Sequence, residues 1–264
     1  MKISLLFPPS WHPSQPYLSL PCSTAFLDQA GIADKSQRDL NIELLDTILS
    51  RTYGLEVYEK LVEKLKKLEH SREGETGPGS DEHYGRIVEA LERFPHLIDQ
   101  IEPAKASLRG EEFYDIERYR ECLFLIDRWL EVVSSIYFPT RLTVVDNQFS
   151  YSIYSSRDIL KAIHDEEQNP YLDLYRRYFL SSIVDENPEL IGVSITATSQ
   201  IIPGLTLCRL IKEANPDIHV TVGGSVFTRL VDNLRRCERL FQVTNDFIVF
   251  ELSLIHISEP TRPY

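Results

Sequence analysis

Two short stretches hold the residue types from which a ligand site can be built: Gly192-Val-Ser-Ile-Thr-Ala-Thr-Ser-Gln200 and Val220-Thr-Val-Gly-Gly-Ser225. Hydroxyl and amide side chains both donate and accept hydrogen bonds. Two glycines leaving a strand let the backbone turn tightly and let a ligand approach main-chain N–H groups with no Cβ in the way. Ser194 and Thr196 alternate on one side of the first stretch, and a buried hydroxyl needs a partner, either backbone or a ligand's polar tail. Gly223 and Gly224 are equally well explained as a plain turn from strand to helix. The two stretches together specify a site better than either does alone.

Other chemistries lack their residues. Cys22, Cys122, Cys208 and Cys237 are scattered along the chain, whereas zinc and iron–sulfur sites draw at least two ligands from one short turn. No protein metal site is expected, and Cys122 and Cys208, inside helical patterns, read as buried reduced thiols. The dinucleotide fingerprint G-x-G-x-x-G opens the first strand-to-helix turn, but the loop after Phe7, Pro8-Pro9-Ser10-Trp11-His12, contains no glycine. A P-loop is absent too, and with no Gly/Ser/Thr phosphate cradle after the first strand an FMN or nucleotide domain is the weaker reading.

A sheet must carry these stretches. Residues 2–7 form an apolar run halted by Pro8-Pro9, residues 21–30 a helix from Pro21 to the stop at Gly31, residues 35–40 a weaker strand, and residues 41–49 a helix with Asn41 as N-cap. From about 54 to 187 the texture is helical. Apolar stripes at steps of three and four mark residues 55–68, 84–98 with a kink at Pro95, 116–137 ended by Pro139, 156–165 and 171–184, with a charged Gly/Pro-rich loop over 69–81. The last third alternates strand 190–196, helix 203–213, strand 218–224, helix 226–234 and strand 246–250. Such alternation implies right-handed crossovers and an α/β, doubly wound, parallel five-stranded sheet, with a helical insertion between its second and third strands. Ligands in such sheets lie beyond the carboxyl ends of the strands. Those ends carry Pro8 and Pro9, then Ser194 to Gln200, then Gly223, Gly224 and Ser225, then Glu251.

Composition narrows the partners. At 264 residues and 42% hydrophobic the chain is long enough for a substantial core. A net charge of −12 argues against nucleic acid, whose binders cluster Lys and Arg. The apolar runs fall far short of the roughly 20 residues a membrane span needs, and the N-terminus lacks a cleavage site, so the chain reads as cytoplasmic.

The succession of a short strand then PPSWHPSQP, the strand LIGVSIT, the helix leading into IKEANPDIHVTVGG and the strand DFIVFE resembles the N-terminal cobalamin-binding domain of B12-dependent radical SAM enzymes. The resemblance covers residues 1–49 and 188–251 well and the helical middle loosely. It implies a flavodoxin-like (Rossmann-like) fold of strand order 2-1-3-4-5. Cobalamin would lie on the carboxyl edge, its nucleotide tail flanked by Ser194, Thr196, Thr198, Ser199 and Gln200, and touched by the backbone of Gly223, Gly224 and Ser225. The loop beginning Pro8, Pro9 would lie beside the corrin. Many B12 domains supply cobalt with a histidine from D-x-H-x-x-G after the first strand. Here His12 lacks the Asp and Gly, and Asp217-Ile-His219 falls in the fourth strand, matching the radical SAM branch, which binds without that histidine.

The resemblance also implies a parent enzyme, a methyltransferase or related radical enzyme, whose C-x-x-x-C-x-x-C loop holds a [4Fe–4S] cluster and S-adenosylmethionine. No cysteines here have that spacing, so no catalytic residue is assigned and the cluster and S-adenosylmethionine sites are expected in a radical SAM domain in cis. Residues 252–262, LSLIHISEPTR, look like the translation of a sequencing adapter, so a truncated domain with a non-native tail over 252–264 is expected. The expected divisions are then 1–53 and 188–251, two halves of the cobalamin-binding α/β domain, around 54–187 as a cap. The competing expectation is a flavodoxin-like regulatory or protein-interaction module without cofactor, in which VTVGGS is only a turn.

Overall fold

Ile3–Phe7 forms β1, with four of its five residues buried, as a strand covered on both faces requires. The computed structural model describes residues 1–72, 78–234 and 237–249. The expected adapter tail, Glu251 and the end of the 246–250 strand therefore lie outside the described residues. Parallel partners flank β1: β2 (Lys35–Asp39) on one side and β5 (Leu190–Ser194) on the other, followed by β6 (His219–Gly223) and β7 (Asp246–Phe247). The sheet order β2-β1-β5-β6-β7 is the flavodoxin-like 2-1-3-4-5, counted over the sheet's own strands. The order reverses between β1 and β5, which puts a switch point at the loops after Phe7 and Ser194.

Helices cover both faces. α1 (Ser19–Gln29) packs on β1 and β2, starting two residues before Pro21, and Gly31 stops the chain at φ +75° as expected. α2 (Leu40–Ile48) is capped by Asp39, not by Asn41. Asp39 ends β2 with its carboxylate accepting from the N–H groups of Asn41 and Ile42, so the reading of Asn41 as N-cap is corrected. Asn41 is buried and serves the loop after β1 instead.

The insertion is mostly helical. α3 (Arg51–Arg72) and α4 (Pro78–Leu97) extend into the stretch read as a loop over 69–81, leaving only residues 73–77 undescribed between them. α5 (Ile101–Arg109), which the sequence reading passed over, precedes α6 (Ile116–Ser134), capped by Asp115. Next comes a two-stranded antiparallel hairpin, β3 (Arg141–Leu142) and β4 (Asn147–Gln148), also unforeseen. α7 (Ser156–Ala162) follows, then one helical run made of α8 (Pro170–Leu174), a π turn over Tyr175–Phe179 and α9 (Leu180–Val184). Asn169 caps that run, with Pro170 at its first position.

α10 (Ile201–Ala214) joins the two halves. Every residue from Ile201 to Ile211 is buried, because the helix lies against β5 and β6 on one side and α7, α8 and α9 on the other. A helix apolar all round must be covered all round. Each Leu or Ile buried here contributes roughly 1.5–3 kcal/mol. Trp129 of α6, fully buried, donates Nε1–H to the carbonyl of Ile48 at 2.9 Å and pins the insertion to the end of α2. One hydrophobic cluster runs from Leu6 through Trp129 to Val222. The single helix read over 226–234 is two, α11 (Ser225–Arg229) and α12 (Val231–Leu234). No helix among the described residues is long and apolar enough to cross a membrane.

Candidate functional site

The carboxyl edge is organised by Gln200, a fully buried polar side chain. Its Oε1 accepts from Thr196 N–H at 2.9 Å, Thr196 Oγ1–H at 3.0 Å and Ala197 N–H at 3.1 Å, while its Nε2 donates to the carbonyl of Pro8 at 2.7 Å. The loop leaving β5 is thereby tied to the loop leaving β1. Ser199 reinforces the join by donating to the carbonyl of Ser10 at 2.8 Å. A third clamp comes from the insertion. Asn147 Nδ2 lies 2.6 Å from Ser10 Oγ, 3.0 Å from Tyr171 OH and 2.9 Å from the Ser199 carbonyl, and Ser10 Oγ and Tyr171 OH share a bond of 2.7 Å. Burial pushes the Tyr171 phenol up to about 12, so it stays protonated.

These bonds close the switch-point crevice, the place where a flavodoxin-like sheet would take FMN. The adjoining loop is equally fixed. Asn41 accepts from Trp11 N–H at 3.1 Å and donates to the Trp11 carbonyl at 2.9 Å, and Phe7 stacks on Tyr17 at 5.8 Å. Pro8 and Pro9 are buried beneath the loop.

The rest of the edge is formed by the turns leaving β5 and β6, which are bonded to each other through Ile195 N–H and the Gly223 carbonyl at 2.8 Å. Ser194 ends β5 half-buried, and its hydroxyl has no partner among the described residues. Thr198 is exposed and equally free. Gly223, opposite Ser194 in register, would meet only Ile248, at 3.7 Å, if it carried a Cβ. Gly224 is different: φ is +118°, and a Cβ there would sit 2.1 Å from the carbonyl oxygen of Ile195. Gly224 thus serves the turn, packed on backbone, while Gly223 leaves room at the edge. Ser225 donates to the Thr196 carbonyl at 3.0 Å and closes the turn from the other side.

The expected residues therefore divide. Thr196, Ser199, Gln200, Gly224 and Ser225 hold the edge in shape, and Ser194, Thr198 and Gly223 present unspent groups or space. Sequence reasoning missed Asn41, Asn147 and Tyr171, which reach the edge from distant elements. The lone asparagine at 147 gave no periodic signal.

The two histidines singled out from the sequence are each held by a neighbour. His12 Nδ1 accepts from the N–H of Ser14 at 3.2 Å, so in the neutral ring its Nε2 carries the proton. His219 sits at the opposite end of β6, exposed, with Nε2 2.6 Å from Asp246. Among the described residues no three His, Cys, Asp or Glu side chains form a metal-holding group.

Residues 133–244 match the B12 binding domain family. The matched segment runs from the end of α6 to just before β7 and contains β5, β6 and the turns that leave them. The match supports cobalamin binding on this α/β fold. Comparison with curated proteins and with solved structures returned no match.

Cobalamin fits what this edge offers. Its amide side chains and nucleotide tail need hydroxyl and main-chain partners and close backbone approach, for which the unpartnered hydroxyls of Ser194 and Thr198 and the uncrowded Gly223 are suited.

Proposed function

We propose that this chain holds cobalamin along the carboxyl ends of β5 and β6, with the tail directed past Ser194 and the Gly223 turn, on behalf of a radical SAM domain of the same protein in the cytoplasm. The observation that carries the reading is that the B12 binding domain match contains the turns leaving β5 and β6, where the Ser194 and Thr198 hydroxyls are unpartnered among the described residues. Residues 1–53 and the strands from 188 onward make the cofactor-holding unit, and residues 54–187 cap it. When bound, cobalamin supplies a cobalt centre able to carry a methyl group or exchange electrons.

The chain's own contribution is position and exclusion. Ser194 and Thr198 donate to or accept from the tail, Gly223 lets it approach the backbone, and Gln200, Ser199 and Asn147 keep the neighbouring loops from collapsing into the space. Pro8, Pro9 and the Trp11 loop form the wall beside the corrin. The [4Fe–4S] cluster and S-adenosylmethionine belong to the proposed catalytic domain, as does the methyl transfer or related radical step.

Spectrophotometric titration of the chain with hydroxocobalamin tests the site. Saturable binding is expected, and both Ser194→Ala and Gly223→Val should weaken it by about tenfold, as loss of one bond or of close approach would. Unchanged affinity in both variants would remove the site from this edge. The full gene that encodes this chain is expected to carry C-x-x-x-C-x-x-C in the same reading frame, and a gene without it would refute the radical SAM assignment.

A further inference from the structure

A second polar cleft lies in the insertion, of about 420 Å³, between α4, α6 and the β3–β4 hairpin. Helical spacing puts Arg86 and Arg93 on one face of α4, Arg128 comes from α6, and Arg141 reaches in from β3. Three of these arginines converge on one carboxylate. Glu131 has Arg128 Nη1 at 2.8 Å, Arg141 Nη2 at 3.0 Å and Arg93 Nη1 at 3.1 Å. Glu89 also pairs with Arg93, and Glu82 with Arg86. Four guanidinium groups thus face three carboxylates, a cationic surplus on a chain whose net charge is −12.

Charge pairing alone would explain a strut between helices, but it does not account for a buried, unpaired hydroxyl beside it. Here two polar atoms remain without a partner. Arg128 Nε and Thr140 Oγ1 are both buried and make no hydrogen bond, and Thr140, only 2% exposed, lines the cleft. Buried polar groups are nearly always satisfied, by protein, water or ligand. Planar guanidinium forks match the oxygens of phosphate in pairs. The cleft is larger than a phosphate ion and within the range of small-molecule sites.

We infer that this cleft binds a small phosphate monoester, its phosphate taken by Arg93, Arg128 and Arg141 with the Thr140 hydroxyl. The inference stands apart from the cobalamin reading, since none of these residues touches the sheet edge. It is adjacent all the same: Gln148 lines the cleft while its neighbour Asn147 holds Ser10 and Ser199.

The test is calorimetric titration of the whole chain with inorganic phosphate, and then with a sugar phosphate, in chloride buffer at fixed ionic strength. Saturable binding of both is expected, tighter for the ester. Arg141→Gln, on the exposed hairpin, should weaken it by about tenfold or more, given the strength of charge-assisted bonds. Thr140→Val, which keeps every charge, should weaken it severalfold, a change a mere ion-pair strut would not produce. Arg176→Gln, which breaks a distant pair with Glu166, should leave binding unaltered. No saturable heat beyond the chloride control, or equal heats in the wild type, Arg141→Gln and Thr140→Val, would overturn the inference. Circular dichroism of each variant confirms that it is folded, and Thr140→Val decides the matter should Arg141→Gln unfold.

Discussion

Neighbouring glycines at the end of β6 carry different tasks, and substitution separates them. Gly224→Ala forces a left-handed φ on a residue with a side chain and drives that side chain into the Ile195 backbone. It should cost about 3 kcal/mol or more by urea denaturation. Gly223→Ala meets only Ile248 at ordinary contact distance and should cost less than about 1 kcal/mol. The sequence made both residues visible as a pair and left open whether they were a turn or an approach; the structure assigns one role to each. Gln200 was named as a tail contact but is consumed by Pro8, Thr196 and Ala197. Gln200→Leu would strand several buried donors and should lower stability by about 3 kcal/mol, read from the same denaturation curves.

Among the elements, α2 gives a pH-dependent prediction. Asp39 caps it, but burial holds the carboxyl above its ordinary range, more than the two backbone bonds lower it, and Glu43 adds to the rise. A carboxyl whose folded pKa is raised contributes stability that is complete below the unfolded pKa and is lost as pH rises through the folded value. Asp39→Asn keeps an acceptor for the cap and removes that loss. The variant should therefore match the wild type at low pH and gain on it towards neutrality, whereas Asp39→Ala, which removes the cap as well as the titrating group, loses about 1 kcal/mol at low pH and less towards neutrality. Thermal melts over that range decide the sign. The strands in β1, β5 and β6 were legible because continuous apolar runs bounded by Pro, Gly or Asn have few other readings. The hairpin was not, since two-residue strands have no period to detect, and α5 was hidden by the proline at its third position. The Asn41 cap failed because Asp39 offers a better acceptor one residue before the helix begins.

At the scale of the molecule, α10 and the shared core make insertion and sheet stand or fall together. Cys208 is buried in that core and Cys122 is buried on α6; burial raises the Cys208 thiol to about 12, while Cys22 and Cys237 are only partly covered. A thiol reagent at pH 8 should label Cys22 and Cys237 in the native protein and Cys122 and Cys208 only on unfolding, in one step, as mass spectrometry would show. Labelling of Cys122 ahead of Cys208 would instead reveal an insertion that opens independently. The sheet order followed from the alternation of elements and the family resemblance. The clamp of Asn147 and Tyr171 on the switch point did not, because contacts between residues so far apart leave no mark in a single sequence. That clamp leaves the turns after β5 and β6 as the part of the edge with unpartnered hydroxyls, those of Ser194 and Thr198. The central claim is that the edge at these turns takes cobalamin, and gel filtration of the chain after incubation with hydroxocobalamin tests it most directly. Corrin absorbance co-eluting with the protein in stoichiometric amount, and lost in Ser194→Ala combined with Gly223→Val, is the predicted result; folded, colourless wild-type protein would contradict it.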